Sequence, residues 1–271
     1  MTSPNDPSFG SGSHRPTSFD EWLQAAKEQA TFFTGLKLDV GLPRWQLADV
    51  LPVLPFIGAG IGLAAGLVFA IVRGIAGPGW LAAVLAVGAA VLITRALHED
   101  GLADTADGLG PHALEPARRL EIMRDSRNGT FGVLALALSV LIKVACLAQF
   151  SGATGLVVLI SAHAVSRSVL AYPLLAYSPV HGDGLGAQAG KPTDNDVWLT
   201  IGLGAVLAFL LLLGKGFFVA LLTPLIAIGA GILAARWIAA RLGGYTGDTL
   251  GAVQQKAEIA FLVVAALLIG G

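Results

Sequence analysis

Seven stretches of this chain, at about residues 47–71, 80–96, 131–150, 154–176, 197–213, 217–239 and 257–271, are apolar enough to be read as helices crossing a bilayer. A spanning helix needs roughly 20 mostly apolar residues. The last stretch is short, and Pro224 inside the sixth predicts a kink. Composition agrees: 55% of residues are hydrophobic, 13% are charged and the mean hydropathy is +0.73. An ordinary soluble domain is about 25% charged. The expected fold is therefore all-α, a polytopic helical bundle of about seven transmembrane helices. Net charge is −1, so no basic field points to a nucleic-acid partner. Cys146, the single cysteine, lies in an apolar run and reads as a small buried hydrophobe.

Residues 1–20 are polar and rich in Ser, Pro, Gly and Asp, without the apolar core of a cleavable leader. Residues 1–18 are expected to form a disordered tail, and 19–271 one membrane-embedded catalytic domain. Within the latter, Phe19, Trp22, Leu23, Ala26, Ala30 and Phe33 recur at helical spacing, with Asp20, Glu21, Lys27 and Glu28 between them. Two readings stand side by side: an amphipathic helix on the membrane surface, or a helix packed on the loops.

Lys and Arg fall unevenly between the two sides. One side receives Arg15, Lys27, Lys37, Arg44, Arg118, Arg119, Arg124, Arg127, Lys191, Arg241 and Lys256. The other holds little beyond Arg73 and Lys215. The positive-inside rule then predicts a cytoplasmic N-terminus and cytoplasmic loops at 97–130, 177–196 and 240–256. Every polar motif of the chain falls on that same side.

The most informative motif runs from His98 through Glu99, Asp100, Gly101, Asp104 and Asp107 to Gly108. If this segment is helical, Asp100, Asp104 and Asp107 stand at i, i+4 and i+7 on one stripe, with Glu99 off it. Unpaired carboxylates so close repel and raise one another's pKa. A hard divalent cation removes that conflict, and Mg²⁺ commonly joins protein carboxylates to substrate phosphates. The plainer alternative is a solvated acidic helix end, weakened further by Gly101.

Downstream lie Arg118, Arg119, Arg124, Asp125, Arg127, Asn128, Gly129 and Gly132. Arginines beside a metal-bound phosphate can grip it bidentately, and Arg124 and Arg127 are the stronger candidates. Arg118 and Arg119 serve topology equally well. Asp125 is a candidate additional ligand or general base, and Gly129 and Gly132 let backbone approach a substrate. A third polar island spans 243–252, with Asp248 inside it and Glu258 beyond. Acids at the membrane are costly and usually functional. His163, Ser166 and Arg167 fall in the fourth apolar stretch; a charged Arg167 there is expected to face the bundle interior, and Lys143 in the third needs a partner that the sequence does not name. His112 and His181 read as ordinary loop residues.

These segments, 98–109 with its acids, 122–126 with 129–132, and 246–252, together resemble the cobalamin synthase family, also called adenosylcobinamide-GDP ribazoletransferase. The similarity covers about residues 20–271. Position 99 is Glu where many members are apolar, and 177–186 matches only the family's Gly-Leu-Gly element. The resemblance implies a transferase that joins adenosylcobinamide-GDP to α-ribazole or its 5′-phosphate, releasing GMP and completing the nucleotide loop of cobalamin. It implies Mg²⁺ as cofactor, corrinoid and nucleotide substrates, and a place in the bacterial inner membrane with the site toward the cytoplasm. It leaves room for a homo-oligomer or for association with other enzymes of corrinoid assembly. On this reading Asp100, Asp104 and Asp107 hold Mg²⁺, while Asp104, Asp125 and Asp248 are catalytic. Arg124, Arg127, His98 and Gly129 then contact the substrate.

Two rivals differ in class. A CDP-alcohol phosphotransferase-like lipid enzyme also carries an Asp-rich motif, but with Ala-Arg after the first Asp-Gly pair and wider spacing. A cation transporter places its acids near mid-membrane on broken helices, often in repeated halves, and no internal repeat is visible here. An intramembrane aspartyl protease fits less well, because Tyr245 stands where its motif needs Gly.

Overall fold

A backbone N–H or C=O finds no water inside a bilayer, so an apolar chain satisfies its own backbone there in helices. The computed structural model describes residues 15–41, 44–111, 115–125, 127–180 and 185–270. Among these there is no strand, only an isolated bridge between Pro179 and Tyr245. The helices are α1 (Phe19–Phe33), α2 (Leu54–Gly74, entered through a 3₁₀ turn at Leu47–Val53), α3 (Gly79–Thr94), α4 (Leu97–Leu109), α5 (Pro116–Met123) and α6 (Thr130–Leu147). They continue as α7 (Gly152–Ser168), α8 (Ala171–Ala176), α9 (Leu185–Gln188), α10 (Asp194–Leu212), α11 (Phe217–Leu242) and α12 (Gly247–Ile269). The residues His112, His181 and Ser126 lie outside the described set, as do residues 1–14 of the expected tail.

Six helical segments among the described residues are long and apolar enough to cross a membrane, with α7 and α8 counted as one. A seventh arises only if α3 and α4 are taken together, and the chain turns 90° between them. α4 is therefore no continuation of the second span. It carries four acids in thirteen residues and lies outside the spans proper. The corner is built from two successive left-handed residues, Arg95 (φ 54°) and Ala96 (φ 56°). Each costs roughly 1–2 kcal/mol for a residue with a Cβ. The corner is clasped by the chain after α1: the Arg95 guanidinium donates to the Gly35 carbonyl at 3.0 Å, and Gly35 N–H donates to Ile93 at 2.7 Å.

The sequence expectation for the last span is corrected. α12 begins at Gly247 and not near 257, so the predicted loop at 240–256 shrinks to the four residues after Leu242. Polar side chains hid this start: Asp248, Gln254, Gln255 and Lys256 depress the local hydropathy, but Thr246 caps the helix by accepting from Thr249 N–H. α11 runs through Pro224 without interruption.

α7 and α12 are the innermost spans. α2 packs on α7 backbone to backbone, because Gly58, Gly62 and Gly66 recur every four residues. A Cβ at Gly58 or Gly62 would collide with main-chain atoms of His163 or Leu159, and one at Gly66 with the Leu156 side chain. Such small-residue seams are how helices associate where no hydrophobic drive separates protein from lipid. Large apolar side chains such as Leu92, Leu141, Phe218 and Leu267 are left exposed on the outside, where lipid is their natural neighbour.

α1 packs one face on the segment that leads into α2. Ser18 and Glu21 form a capping box at its start, and Ala25 and Phe33 are buried, Ala25 packing against Val50 and Val53. Phe19, Leu23 and Phe32 remain exposed on the other side. The end of the expected disordered tail is tied down, with Arg15 paired to Asp196 at 2.7 Å and lying over the Trp22 ring. Cys146 is buried, as its surroundings implied.

Candidate active site

One end of the bundle gathers the polar motifs. The segment after α8 hydrogen-bonds to the α11–α12 turn, with Val180 N–H donating to Tyr245 at 2.9 Å and Tyr245 N–H to Ser178 at 3.1 Å. The Tyr245 hydroxyl donates to the Gly186 carbonyl at 3.1 Å, and Ala48 N–H donates to Ala189 at 2.8 Å. This loop thus walls the start of α12, a role that its partial motif match did not reveal.

α4 runs helical through Gly101, and that glycine is needed for contact rather than for a break. A Cβ there would press on the Asp248 carbonyl, with the Asp248 Cα 2.9 Å away. At Gly251 it would meet the His98 carbonyl at 3.1 Å. These two glycines let α4 and α12 touch main chain to main chain, which carries Asp248 to the face that holds Asp100 and Asp104.

The stripe of aspartates slopes from solvent inward: Asp100 is exposed, Asp104 half-buried and Asp107 buried. Burial pushes Asp104 up to about 7, and the charges of Asp100, Asp248 and Asp107 push the same way. No Lys or Arg among the described residues pairs with Asp100, Asp104 or Asp248. Nor do three His, Cys, Asp or Glu side chains among the described residues already converge into a ready metal-binding group. The donors are nevertheless of the kind a hard divalent cation takes, since Asp100, Asp104 and Asp248 are carboxylates with no cation beside them and their charges crowd Asp104. Asp248 joins this set, which the helical stripe alone did not include.

Asp107 has a different engagement. Its two oxygens accept Gly129 N–H at 2.7 Å and Gly132 N–H at 2.8 Å. These are free amides at the start of α6, where a carboxylate is favourable. A Cβ on Gly129 or Gly132 would strike that carboxylate, so both glycines serve the approach of Asp107 to their amides. Replacing Asp107 with Ala should destabilise the protein by about 1–3 kcal/mol for each interior amide left without an acceptor. Thermal unfolding in detergent would show this, and an unchanged midpoint would contradict the capping role.

The Arg-rich segment divides. Arg119 is buried and donates to the Gly108 carbonyl at 3.0 Å, closing the end of α4. Arg118 is paired with Glu121 on the surface. Arg127 grips Asp125 through two side-chain hydrogen bonds of 3.0 and 2.7 Å, and the arginine lowers Asp125 to about 2. That suits a fixed anion better than a proton acceptor. Arg124 is exposed and has no ion-pair partner among the described residues. His98 is buried, stacked on Phe33 with ring centroids 5.9 Å apart, and neither ring nitrogen has a hydrogen-bond partner.

Arg167 faces the interior as expected, His163 is buried beside it, and Lys143 finds its partners in Glu258 at 2.7 Å and Glu99 at 3.6 Å. Glu99, off the aspartate stripe, points into the bundle. Sequence spacing held a clue here, since Glu258 lies on a helix with Gln254 and Gln255 one turn before it.

Residues 26–266 match the model of the family described as cobalamin-5-phosphate synthase. Among curated relatives, an adenosylcobinamide-GDP ribazoletransferase of Shewanella amazonensis is 41% identical over 93% of this chain and 98% of its own. Proteins of the same name from Mesorhizobium japonicum and Allorhizobium ampelinum are each 43% identical, over 87% and 79% of this chain and 90% and 83% of theirs. No solved structure matches the chain.

Proposed function

This chain belongs to the cobalamin-5-phosphate synthase family and is a transferase of cobalamin biosynthesis, and we propose that it joins adenosylcobinamide-GDP to α-ribazole or its 5′-phosphate with release of GMP. The observation that carries the site is the meeting of Asp248 with Asp100 and Asp104 across the Gly101–Gly251 contact.

In the reaction a ribose hydroxyl oxygen forms a bond to the cobinamide-linked phosphorus. The bond from that phosphorus to the GMP oxygen breaks, and GMP leaves with its electron pair. Asp100, Asp104 and Asp248 would hold Mg²⁺, with Asp107 behind them anchored to α6. When bound, the ion supplies charge neutralisation for the pyrophosphate and for the departing GMP. Asp104 would act in that step as an ionised ligand, because a bound cation relieves the crowding by Asp100, Asp248 and Asp107 that favours its proton in the ion's absence. Arg124, unpaired and exposed, is the cation available to phosphate oxygens, and Arg127 becomes available only by leaving Asp125. The GMP product carries the nucleotide end of the substrate, so all charged parts of the reaction stay at one face.

We also place this face toward the cytoplasm of the inner membrane. Arg44, Arg95, Arg118, Arg124 and Lys191 lie at this end, while Arg73 and Lys215 turn to the Gly77 carbonyl and the Thr154 hydroxyl at the other. Neither rival function gains support. The aspartates gather at one end of the bundle, and the relatives carry the name of the transferase.

Membranes containing the protein should release GMP from adenosylcobinamide-GDP only when α-ribazole and Mg²⁺ are supplied. Release without α-ribazole would make the protein a hydrolase, and no release beside an active control would remove this assignment.

The raised Asp104 also predicts a pH dependence of stability. Its folded pKa, about 7, exceeds its ordinary value of 3.8, so the folded state holds the proton more tightly. That contribution is fully present below about pH 4 and is lost as pH rises to about 7. In chelator, the unfolding midpoint of the wild type should decline across this window relative to that of Asp104→Asn. Parallel curves would show that Asp104 is not the group responsible.

A further inference from the structure

Behind the aspartate face lies a charged layer that the transfer chemistry does not use. Glu258 on α12 accepts from Lys143 Nζ at 2.7 Å, Gln254 Nε2 at 2.6 Å and Arg167 Nη1 at 3.2 Å. Glu99 on α4 accepts from Gln255 Nε2 at 2.9 Å and has Lys143 Nζ at 3.6 Å. Gln255 in turn accepts from the Ser139 hydroxyl at 3.2 Å and donates to Gln254 at 3.0 Å. Lys143 and Arg167 thus balance Glu99 and Glu258 one for one. The cavity between Glu99, Lys143, His163 and Glu258 is about 10 Å³, room for about one water. It is too small to pass a substrate, so the layer is a packed spacer.

A buried ion pair is a poor source of stability, because desolvation offsets the attraction, and its better use is to fix one arrangement among several. The arrangement at stake here is specific. Lys143 comes from α6, yet its ammonium sits between an acid of α4 and an acid of α12. Glu99 is the neighbour of Asp100, and Glu258 lies about three turns along the helix that starts with Asp248. The Gly101–Gly251 contact lets α4 and α12 approach but supplies no side chain to stop one rolling on the other.

We propose that Lys143 is a positioning residue for the transfer: by holding Glu99 and Glu258 together, it sets the rotation of α4 against α12 and so the placement of Asp100 and Asp104 opposite Asp248. The proposal rests on the reading of those three aspartates as the reaction centre.

A charge-balanced variant separates positioning from stability. Lys143→Met alone leaves Glu99 buried without a cation, so its unfolding midpoint should fall. Glu99→Gln with Lys143→Met restores neutrality, since Arg167 still balances Glu258, but it removes the ammonium between the helices and leaves only the Gln255 hydrogen bond to the side chain at 99. In nanodiscs the double variant should unfold at the wild-type temperature while GMP release stays about a hundredfold lower, the scale of an ångström-level misplacement. Spin labels on Cys146→Ala protein carrying Ala106→Cys and Lys256→Cys supply a readout independent of activity. Their distance distribution should be narrow in the parent and broad or shifted in the double variant. Recovery of GMP release together with the midpoint, or an unchanged label distance, would overturn the proposal. Should the parent itself release no GMP, the transfer reading falls, and the label distances still decide whether Lys143 sets the two helices.

Discussion

Replacing Asp104 with Asn should lower GMP release by about a thousandfold, the scale on which loss of one well-placed charge-stabilising group registers. The same variant should insert normally and unfold, in chelator, at a temperature no lower than the wild type. These two outcomes are linked by one cause. Asp104 is half-buried with Asp100, Asp248 and Asp107 raising its pKa, so its charge is unfavourable in the resting protein and useful only when a cation or a departing phosphate is present. Asn keeps the shape and removes the charge. Loss of activity with a preserved or raised midpoint would therefore mark a functional carboxylate, whereas loss of both would mark a merely structural one. Asp125→Asn provides the contrast: its carboxylate is exposed and bound to Arg127, and its removal should cost far less.

Gly101→Ala should have an effect nearly as large, by a different route. The added methyl would meet the Asp248 main chain, with the Cα at 2.9 Å, and neither partner is a flexible side chain that can swing away. α4 and α12 must separate. Overpacking of this kind costs about 1–3 kcal/mol. The displacement moves Asp100 and Asp104 away from Asp248 and should lower turnover by about a hundredfold. Gly60→Ala is the matched control, since nothing lies within 4 Å of a Cβ there. Kinetics and unfolding of the two variants side by side check the claim, and an active Gly101→Ala would show that the close contact of α4 and α12 is not required.

The legible part of this protein was its solvent. Apolar runs announced the spans because a bilayer demands about 20 residues each, and six segments satisfy that test in the structure. Boundaries failed where polar residues sit inside a span. Hydropathy alone starts α12 near 257 because Gln254, Gln255 and Lys256 look like loop residues, and only the partners of the two glutamines on α4, α6 and α7 explain why they are tolerated. The helical spacing of Asp100, Asp104 and Asp107 was also readable, since the segment is a helix. The 90° corner at Arg95–Ala96 was not, because neither residue type advertises a left-handed conformation. Gly101 was misleading for a related reason: its helix-weakening tendency is visible in one dimension, and its close approach to Asp248 only in three. Asp107 likewise belongs to a stripe by spacing but is drawn to the α6 amides by tertiary structure.

The central claim is that α4 and α12 together present a cation site built on Asp100, Asp104 and Asp248. Mn²⁺, a paramagnetic stand-in for Mg²⁺, tests it most directly. The purified protein, titrated in nanodiscs, should remove free Mn²⁺ from the electron paramagnetic resonance signal, competitively with Mg²⁺. Asp104→Asn and Asp248→Asn should each weaken that binding by at least about tenfold, while Asp125→Asn leaves it unchanged. Equal binding by the wild type and Asp248→Asn would contradict the account, because it would leave the second helix without a part in the site.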